Sequence, residues 1–318
     1  MVTLEDIRRA RPAIAPFVRR TPTERNKTLS ERLKTNLYLK LELFQATGSF
    51  KPRGAFNKML DLSAEERSRG VVAFSGGNFA QAVAHVGARL GVRTRVIMPA
   101  DTPQNYLEAT RGYGAEVELR ESIAEVLESV ASYQDQGMAF MHPFDDSLMM
   151  AGNGTLGLEL LEEVPELTDV IVSIGGGGLM AGVTTAVKAL RPEVRVWGVE
   201  TAGADAMARS LQAGRVVHVT ASSIAKTLGA PYVAEHALAV ARQHLEGVTV
   251  VSDREAFGAL VVLLERAKVF TEPAASCTLA AAERLAAHFS AEHHVALVLC
   301  GGNAALGDVL RWRDQFPS

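Results

Sequence analysis

The stretch DVIVSIGGGGLMAGVTTAVKAL, residues 169–190, carries the argument for the fold. Its first six residues are mostly β-branched and apolar and read as a buried strand. Its last twelve place apolar side chains at helical spacing, and four glycines join the two. Four consecutive glycines lose too much chain entropy on folding to serve as a plain connector. What they allow is a backbone that curls tightly and aims bare N–H groups at an anion, with the helix dipole adding attraction. A phosphate site is therefore expected at Gly175, Gly176, Gly177 and Gly178. A rival reading exists. Gly176, Gly178 and Ala181 satisfy the spacing G-x-G-x-x-G/A, and Glu200 closes the next strand where a ribose-binding acid is expected. An NAD(P)-binding Rossmann oxidoreductase explains the same stretch, although it puts the fingerprint in mid-chain.

Outward from this unit, short β-branched runs alternate with helical patterns. Strands are expected at 36–43, 71–74, 93–99, 115–120, 169–174, 195–200, 248–252 and 294–300, with MAFMHP (138–143) as one more. Helical material lies between them, so the chain is α/β with a largely parallel sheet. HPFDD (142–146) is the best candidate for a return from one lobe to another. No internal repeat or low-complexity linker interrupts the pattern.

The bulk composition narrows the function. The chain has 318 residues, 47% of them hydrophobic, and a net charge of −3 with no basic run. Nucleic acid and anionic membrane surfaces are poor partners for such a chain. The N-terminus lacks the apolar segment of a signal peptide, and no stretch approaches a transmembrane helix. Cys277 and Cys300 are the only cysteines and suggest no disulfide framework. A soluble cytoplasmic protein is expected.

Three further stretches carry chemistry. GSFKPRG (48–54) puts Lys51 directly before Pro52, which suits the first turn of a helix over AFNKMLDL. A permanent ammonium is disfavoured at that positive end of the helix dipole. Lys51 either points into water or is not an ordinary ammonium. Phe74-Ser75-Gly76-Gly77-Asn78-Phe79 opens a second helix, where Ser75, Asn78 and free N–H groups suit a carboxylate or a phenolic oxygen. Asn78 could equally be a plain N-cap. Leu299-Cys300-Gly301-Gly302-Asn303 ends the last strand, and Cys300 taken alone reads as a small buried hydrophobe.

Together these pieces resemble the fold type II pyridoxal-phosphate enzymes, the group of serine/threonine dehydratases (ammonia-lyases) and serine racemase. GSFKPRG resembles the family's lysine motif, SGGNFAQ its substrate loop, GGGGL its phosphate loop and LCGGN its L-S-G-G-N motif, in the family's order. HPFDD, AGNGT (151–155) and Glu272-Pro273-Ala274-Ala275-Ser276 are also family-like. The resemblance implies a tryptophan synthase β-like fold with two α/β lobes, open mostly parallel sheets and helices on both faces. Residues 1–69 and 146–318 would form a large cofactor domain and 70–145 a small one. It implies that Lys51 forms the Schiff base with pyridoxal 5′-phosphate and later acts as base. Phe50 would pack on the cofactor ring, Asn78 would bond its 3-oxygen, and Gly175–Gly178 with Leu179 would hold the phosphate. Cys300 falls where the family has Ser or Thr facing the pyridine nitrogen, a neutral partner that suits β-elimination. The substrate carboxylate would sit on Ser75, Gly76, Gly77, Asn78 and Phe79. The activity implied is loss of water from a 3-hydroxy amino acid to give a 2-oxo acid and ammonia, in a homodimer or higher homo-oligomer.

The chain departs from that pattern in places. Gly76 stands where racemases carry a serine acid, so racemisation is not expected. Phe79 replaces the family's histidine and makes the pocket greasier. Lys226 and Thr227 replace an Asp-Gly pair near the substrate side. The resemblance implies a threonine/serine type of substrate, and these changes suggest a β-substituent that is not simply threonine's methyl. One candidate is an aryl group, as in phenylserine, expected to be handled at least as well as the methyl; the other is a charged one that meets Lys226, as in 3-hydroxyaspartate. Glu200 and the Ala204 carbonyl match a divalent-metal loop of some relatives, but the further acid falls on Ala206, so no metal is expected.

Overall fold

The structure is a computed structural model and describes residues 2–317. In chain order the strands are β1 (Thr23–Arg25), β2 (Asn36–Lys40), β3 (Val71–Phe74), β4 (Thr94–Pro99), β5 (Glu116–Arg120), β6 (Ala139–Met141), β7 (Asp169–Ser173), β8 (Arg195–Thr201), β9 (Leu245–Val251) and β10 (His294–Val298). They form two sheets, ordered β1-β2-β10-β7-β8-β9 and β5-β4-β3-β6. Every pairing is parallel except β1 with β2. Helices cover the sheets, and β7 is buried along its whole length, as a doubly covered parallel strand must be.

The expected alternation is present, with differences at strand ends. The run 36–43 stops at Lys40 because Glu42–Phe44 winds into a 3₁₀ turn. The run 248–252 begins earlier, at Leu245. Strand β1 escapes the sequence pattern altogether. Its three residues, Thr-Glu-Arg, form a polar edge, and only the antiparallel partner makes them a strand.

One helix positions everything else. Ser147–Glu163 is buried from Met149 to Leu160 and packs against both the Pro52–Asp61 and Gly178–Leu190 helices. The contacts are backbone to backbone. A Cβ on Gly152 would stand 2.4 Å from the Arg53 carbonyl oxygen, and one on Gly182 2.2 Å from that of Met150. Beside this helix lies a buried charge network. Arg53 forks onto Glu42 (Nη2–Oε1 2.8 Å) and Glu159 (Nη1–Oε1 2.7 Å), and Lys40 joins Glu159 at 2.7 Å and Glu163 at 2.9 Å. The lysine motif is thus anchored from below.

Candidate active site

The segments singled out in the sequence converge at the carboxyl ends of parallel strands, where open α/β sheets bind ligands. Loops leaving β3, β7 and β10 meet the segment that follows β2.

Residues 48–50 and 300–302 are clasped together. Phe50 N–H donates to the Cys300 carbonyl at 3.0 Å, Gly302 N–H donates to the Gly48 carbonyl at 2.9 Å, and Ser49 bridges Gly301. Lys51 is the N-cap of the Pro52–Asp61 helix, with Pro52 at the first helical position as expected. Its Nζ donates to the Pro143 carbonyl at 2.9 Å. The same nitrogen lies 5.1 Å from the Phe50 ring centre and 5.5 Å from that of Phe79. No carboxylate among the described residues forms a salt bridge with it. Burial pushes the Lys51 ammonium down to about 8, and the carboxyl of Glu272 acts against that shift. A lysine so placed is a nucleophile and a base near neutral pH.

The glycine loop is walled on every side. A Cβ on Gly176 would stand 2.1 Å from Cγ of Phe144, one on Gly177 2.4 Å from Cβ of Ala237, and one on Gly178 2.8 Å from the Phe144 carbonyl oxygen. Gly177 has φ +92°, the left-handed region that favours glycine. The N–H groups of Gly176 and Gly177 donate to nothing among the described residues, and the helix Gly178–Leu190 begins there. Such a cradle of free donors at a helix N-terminus fits a phosphate. Pro143 and Phe144, neighbours in HPFDD, therefore link the two sites: one accepts from Lys51 and the other covers the loop.

Asn78 is not the cap of its helix. Gly77 takes that place, and the Asn78 side chain reaches instead to two distant residues. Its Nδ2 donates to Glu272 Oε1 at 2.8 Å, and its Oδ1 accepts from Asn303 Nδ2 at 2.8 Å. Ser75 Oγ accepts from Gly77 N–H at 3.1 Å. Leu179 and Cys300 are buried. The Cys300 Sγ accepts from Ser173 Oγ at 3.4 Å, and burial pushes its thiol up to about 12, so it stays neutral.

Two side chains behave differently from the sequence reading. Phe79 is 2% exposed and packs in a core cluster with Phe56, Met141 and Met149, leaving only its ring near Lys51 to bear on the site. Lys226 is exposed at the start of a 3₁₀ turn, while Thr227 beside it turns inward. A Cβ on Gly76 would lie 2.9 Å from Thr102 Oγ1, a buried hydroxyl with no partner among the described residues. Glu272, Thr227, Ser173 and the Pro143 carbonyl were given no role by the sequence, since each acts through a contact more than 40 residues away.

Glu200 settles the rival reading of the glycine stretch. It is fully buried, and its two oxygens accept from Met207 N–H and Ala208 N–H, both at 2.8 Å. It closes onto its own following helix and offers nothing to a ribose. Burial pushes it up to about 8, against those two hydrogen bonds. Among the described residues no group of three or more His, Cys, Asp or Glu side chains is arranged to hold a metal, and no helix is long and apolar enough to cross a membrane.

Comparison with known proteins agrees with this geometry. The family model described as pyridoxal-phosphate dependent enzyme matches residues 14–301. The L-threonine ammonia-lyase of Thermotoga maritima is 39% identical over 306 residues, 95% of this chain and 76% of that protein. Among solved structures, maize serine racemase superposes with a TM-score of 0.92 at 33% identity, covering 99% of this chain and 97% of that one. The T.th. threonine deaminase gives 0.89 at 39% identity, covering 96% and 99%. Lys51, the glycine cradle and the clasp of residues 48–50 to 300–302 fit the cofactor these proteins share. The chain belongs to the fold type II pyridoxal-phosphate-dependent enzymes, uses pyridoxal 5′-phosphate and is a lyase.

Proposed function

We propose that the chain is a dehydratase that removes water from a 3-hydroxy amino acid of the threonine/serine type, giving a 2-oxo acid and ammonia. The observation that carries this reading is the Lys51 amine, held by the neutral Pro143 carbonyl between two aromatic rings, with no carboxylate paired to it. Bound between Lys51, Asn78 and the glycine loop, pyridoxal phosphate supplies an electron-withdrawing ring that loosens the Cα proton of an amino acid. Lys51 Nζ accepts that proton, as a buried amine titrating near neutrality can. Ser75 to Phe79 hold the substrate carboxylate on the first turn of the Asn78–Leu90 helix, where N–H groups and dipole favour an anion. Phe50 and the neutral Cys300 thiol would hold the ring when the cofactor is bound, and residues 70–145 form the smaller of two domains.

A small β-substituent is favoured over phenyl or carboxylate. Phe79 gives most of its surface to core packing, so little apolar area is left to reward a phenyl group. Lys226 is exposed and makes no contact with the substrate loop, so nothing supports a role for it in holding a second carboxylate. The names of the relatives, threonine ammonia-lyase and threonine deaminase, support the same choice. A panel of threonine, serine, phenylserine and 3-hydroxyaspartate, followed by 2-oxo acid release, tests it. Threonine or serine should lead, and a clear lead for phenylserine would move the substrate to the aryl class. Racemisation should be negligible because Gly76 has no side chain to act on the second face. Substantial D-serine left after partial turnover of L-serine would defeat that expectation and turn attention to Thr102. A homo-oligomer in the cytoplasm completes the reading, with sedimentation as the check on assembly.

A further inference from the structure

Lys226 and Thr227 stand together where the resembled family carries Asp-Gly, and their side chains part. Lys226 points to solvent. Thr227 Oγ1 donates to Glu272 Oε1 at 2.9 Å, and its methyl carbon lies 3.4 Å from where a Cβ on Gly77 would be. Thr227 therefore touches both the substrate loop and a buried carboxyl. Glu272 is 3% exposed, Oε1 also accepts from Asn78 Nδ2 at 2.8 Å, and Oε2 has no partner among the described residues. Such a carboxyl is poorly satisfied for its depth, so each hydrogen bond it accepts weighs heavily in whether it is ionised.

We propose that Thr227 is a positioning residue: its hydrogen bond fixes the Glu272 carboxyl beside Asn78 and the substrate loop, and so governs the charge that Lys51 meets. The proposal rests on the reading of Lys51 as the amine that captures the cofactor. Glu272 is faced by several groups. Lys51 is the cation in its field, the Asn303 backbone N–H faces it and favours its charge, and the protons of Tyr106, Cys277 and Cys300 are held more tightly by that charge. Burial pushes Glu272 up, and the Thr227 and Asn78 bonds oppose it. Its charge in turn supports the Lys51 ammonium. Removing the Thr227 hydroxyl favours the neutral carboxyl, weakens that support, and frees the Lys51 amine of its proton at lower pH.

Cofactor uptake reads this without turnover. Full-length protein stripped of cofactor is given pyridoxal phosphate, and the rate of colour recovery is followed from about pH 6 to about pH 10, across the range where lysine and carboxyl can exchange protons. The wild-type midpoint should lie near the Lys51 value of about 8. Thr227→Val should lower it by about half a pH unit or more, which is about threefold faster uptake on the acid side. Thr227→Ser, which restores the hydroxyl, should keep the wild-type midpoint. The proposal is overturned if Thr227→Val leaves the midpoint in place, or if Lys226→Ala moves it as far. It is overturned equally if Thr227→Ser behaves as Thr227→Val, since the methyl contact with Gly77 would then be what matters. A Lys51→Ala chain that still takes up colour would overturn the underlying reading instead.

Discussion

Lys51 and Arg53 stand on either side of Pro52, and the fold treats these two cations oppositely. Arg53 is wholly buried and is given two carboxylates in forked geometry. Burial acts to lower its guanidinium, but Glu42 and Glu159 raise it well above its ordinary value. Lys51 is given one neutral carbonyl and two aromatic rings, and burial pushes it down to about 8. A charge that is fully paired fixes structure. A charge that is left short of partners becomes a reagent. The two residues share one helical turn, so the difference comes entirely from what the rest of the chain brings to each.

The comparison breaks most visibly at Lys51. Lys51→Ala should abolish the visible absorbance after dialysis and lower 2-oxo acid release by about three orders of magnitude or more, a general-base amine and its covalent role being lost together. Far-UV circular dichroism should stay unchanged, since no ion pair is removed. Arg53→Met should do the reverse and attack the fold. It strands Glu42 in the interior and leaves Glu159 with Lys40 alone, and urea unfolding should show a loss of about 3–5 kcal/mol.

A third measurement sharpens the contrast through pH. Free lysine keeps its proton to about 10.5, whereas folding lowers Lys51 to about 8. Below about 8 both states hold the proton and the folded state bears its desolvation. Between the two values the unfolded chain binds more protons, so stability rises with pH. In cofactor-free protein, Lys51→Met should therefore be more stable than wild type by about 1–3 kcal/mol at neutral pH. That advantage should vanish above about pH 10.5 in denaturant titrations. Lys226 is a third cation, neither paired nor starved. Lys226→Ala should change stability by no more than about 0.5 kcal/mol and leave the ratio of threonine to serine turnover unaltered.

What could be read from the sequence divides along the same line. Local signals were legible: β-branched runs gave β7 and β10, four glycines gave a turn with free N–H groups, and Pro52 gave a helix start. The lysine, glycine and cysteine loops were placed together through the family resemblance of their motifs. The partners of each were not legible. Asn78 was open between a helix cap and a ligand contact, and nothing in the spacing showed that its side chain reaches 194 residues forward to Glu272. Lys226 drew attention by its charge, while the uncharged Thr227 makes the contact. Phe79 read as pocket lining because its motif lies on the substrate loop; its ring does lie 5.5 Å from Lys51 Nζ, but its packing against Phe56, Met141 and Met149 was not legible. In each case a side chain's direction depends on tertiary packing that spacing along the chain does not encode.

The clasp between residues 48–50 and 300–302 has a consequence for how the protein comes into being. Strand β10, the last in the chain, lies between β2 and β7 in the middle of the larger sheet. A polypeptide leaving the ribosome therefore carries Lys51 and the glycine loop long before the strand that brings them together. Closing so long a loop is slow, and its entropy must be met before any contact across it forms. Until β10 docks, the half-made sheet exposes two apolar strand edges and has no place for the cofactor. A ligand that needs both Lys51 and the glycine loop can stabilise the fold by mass action only once β10 has docked between β2 and β7.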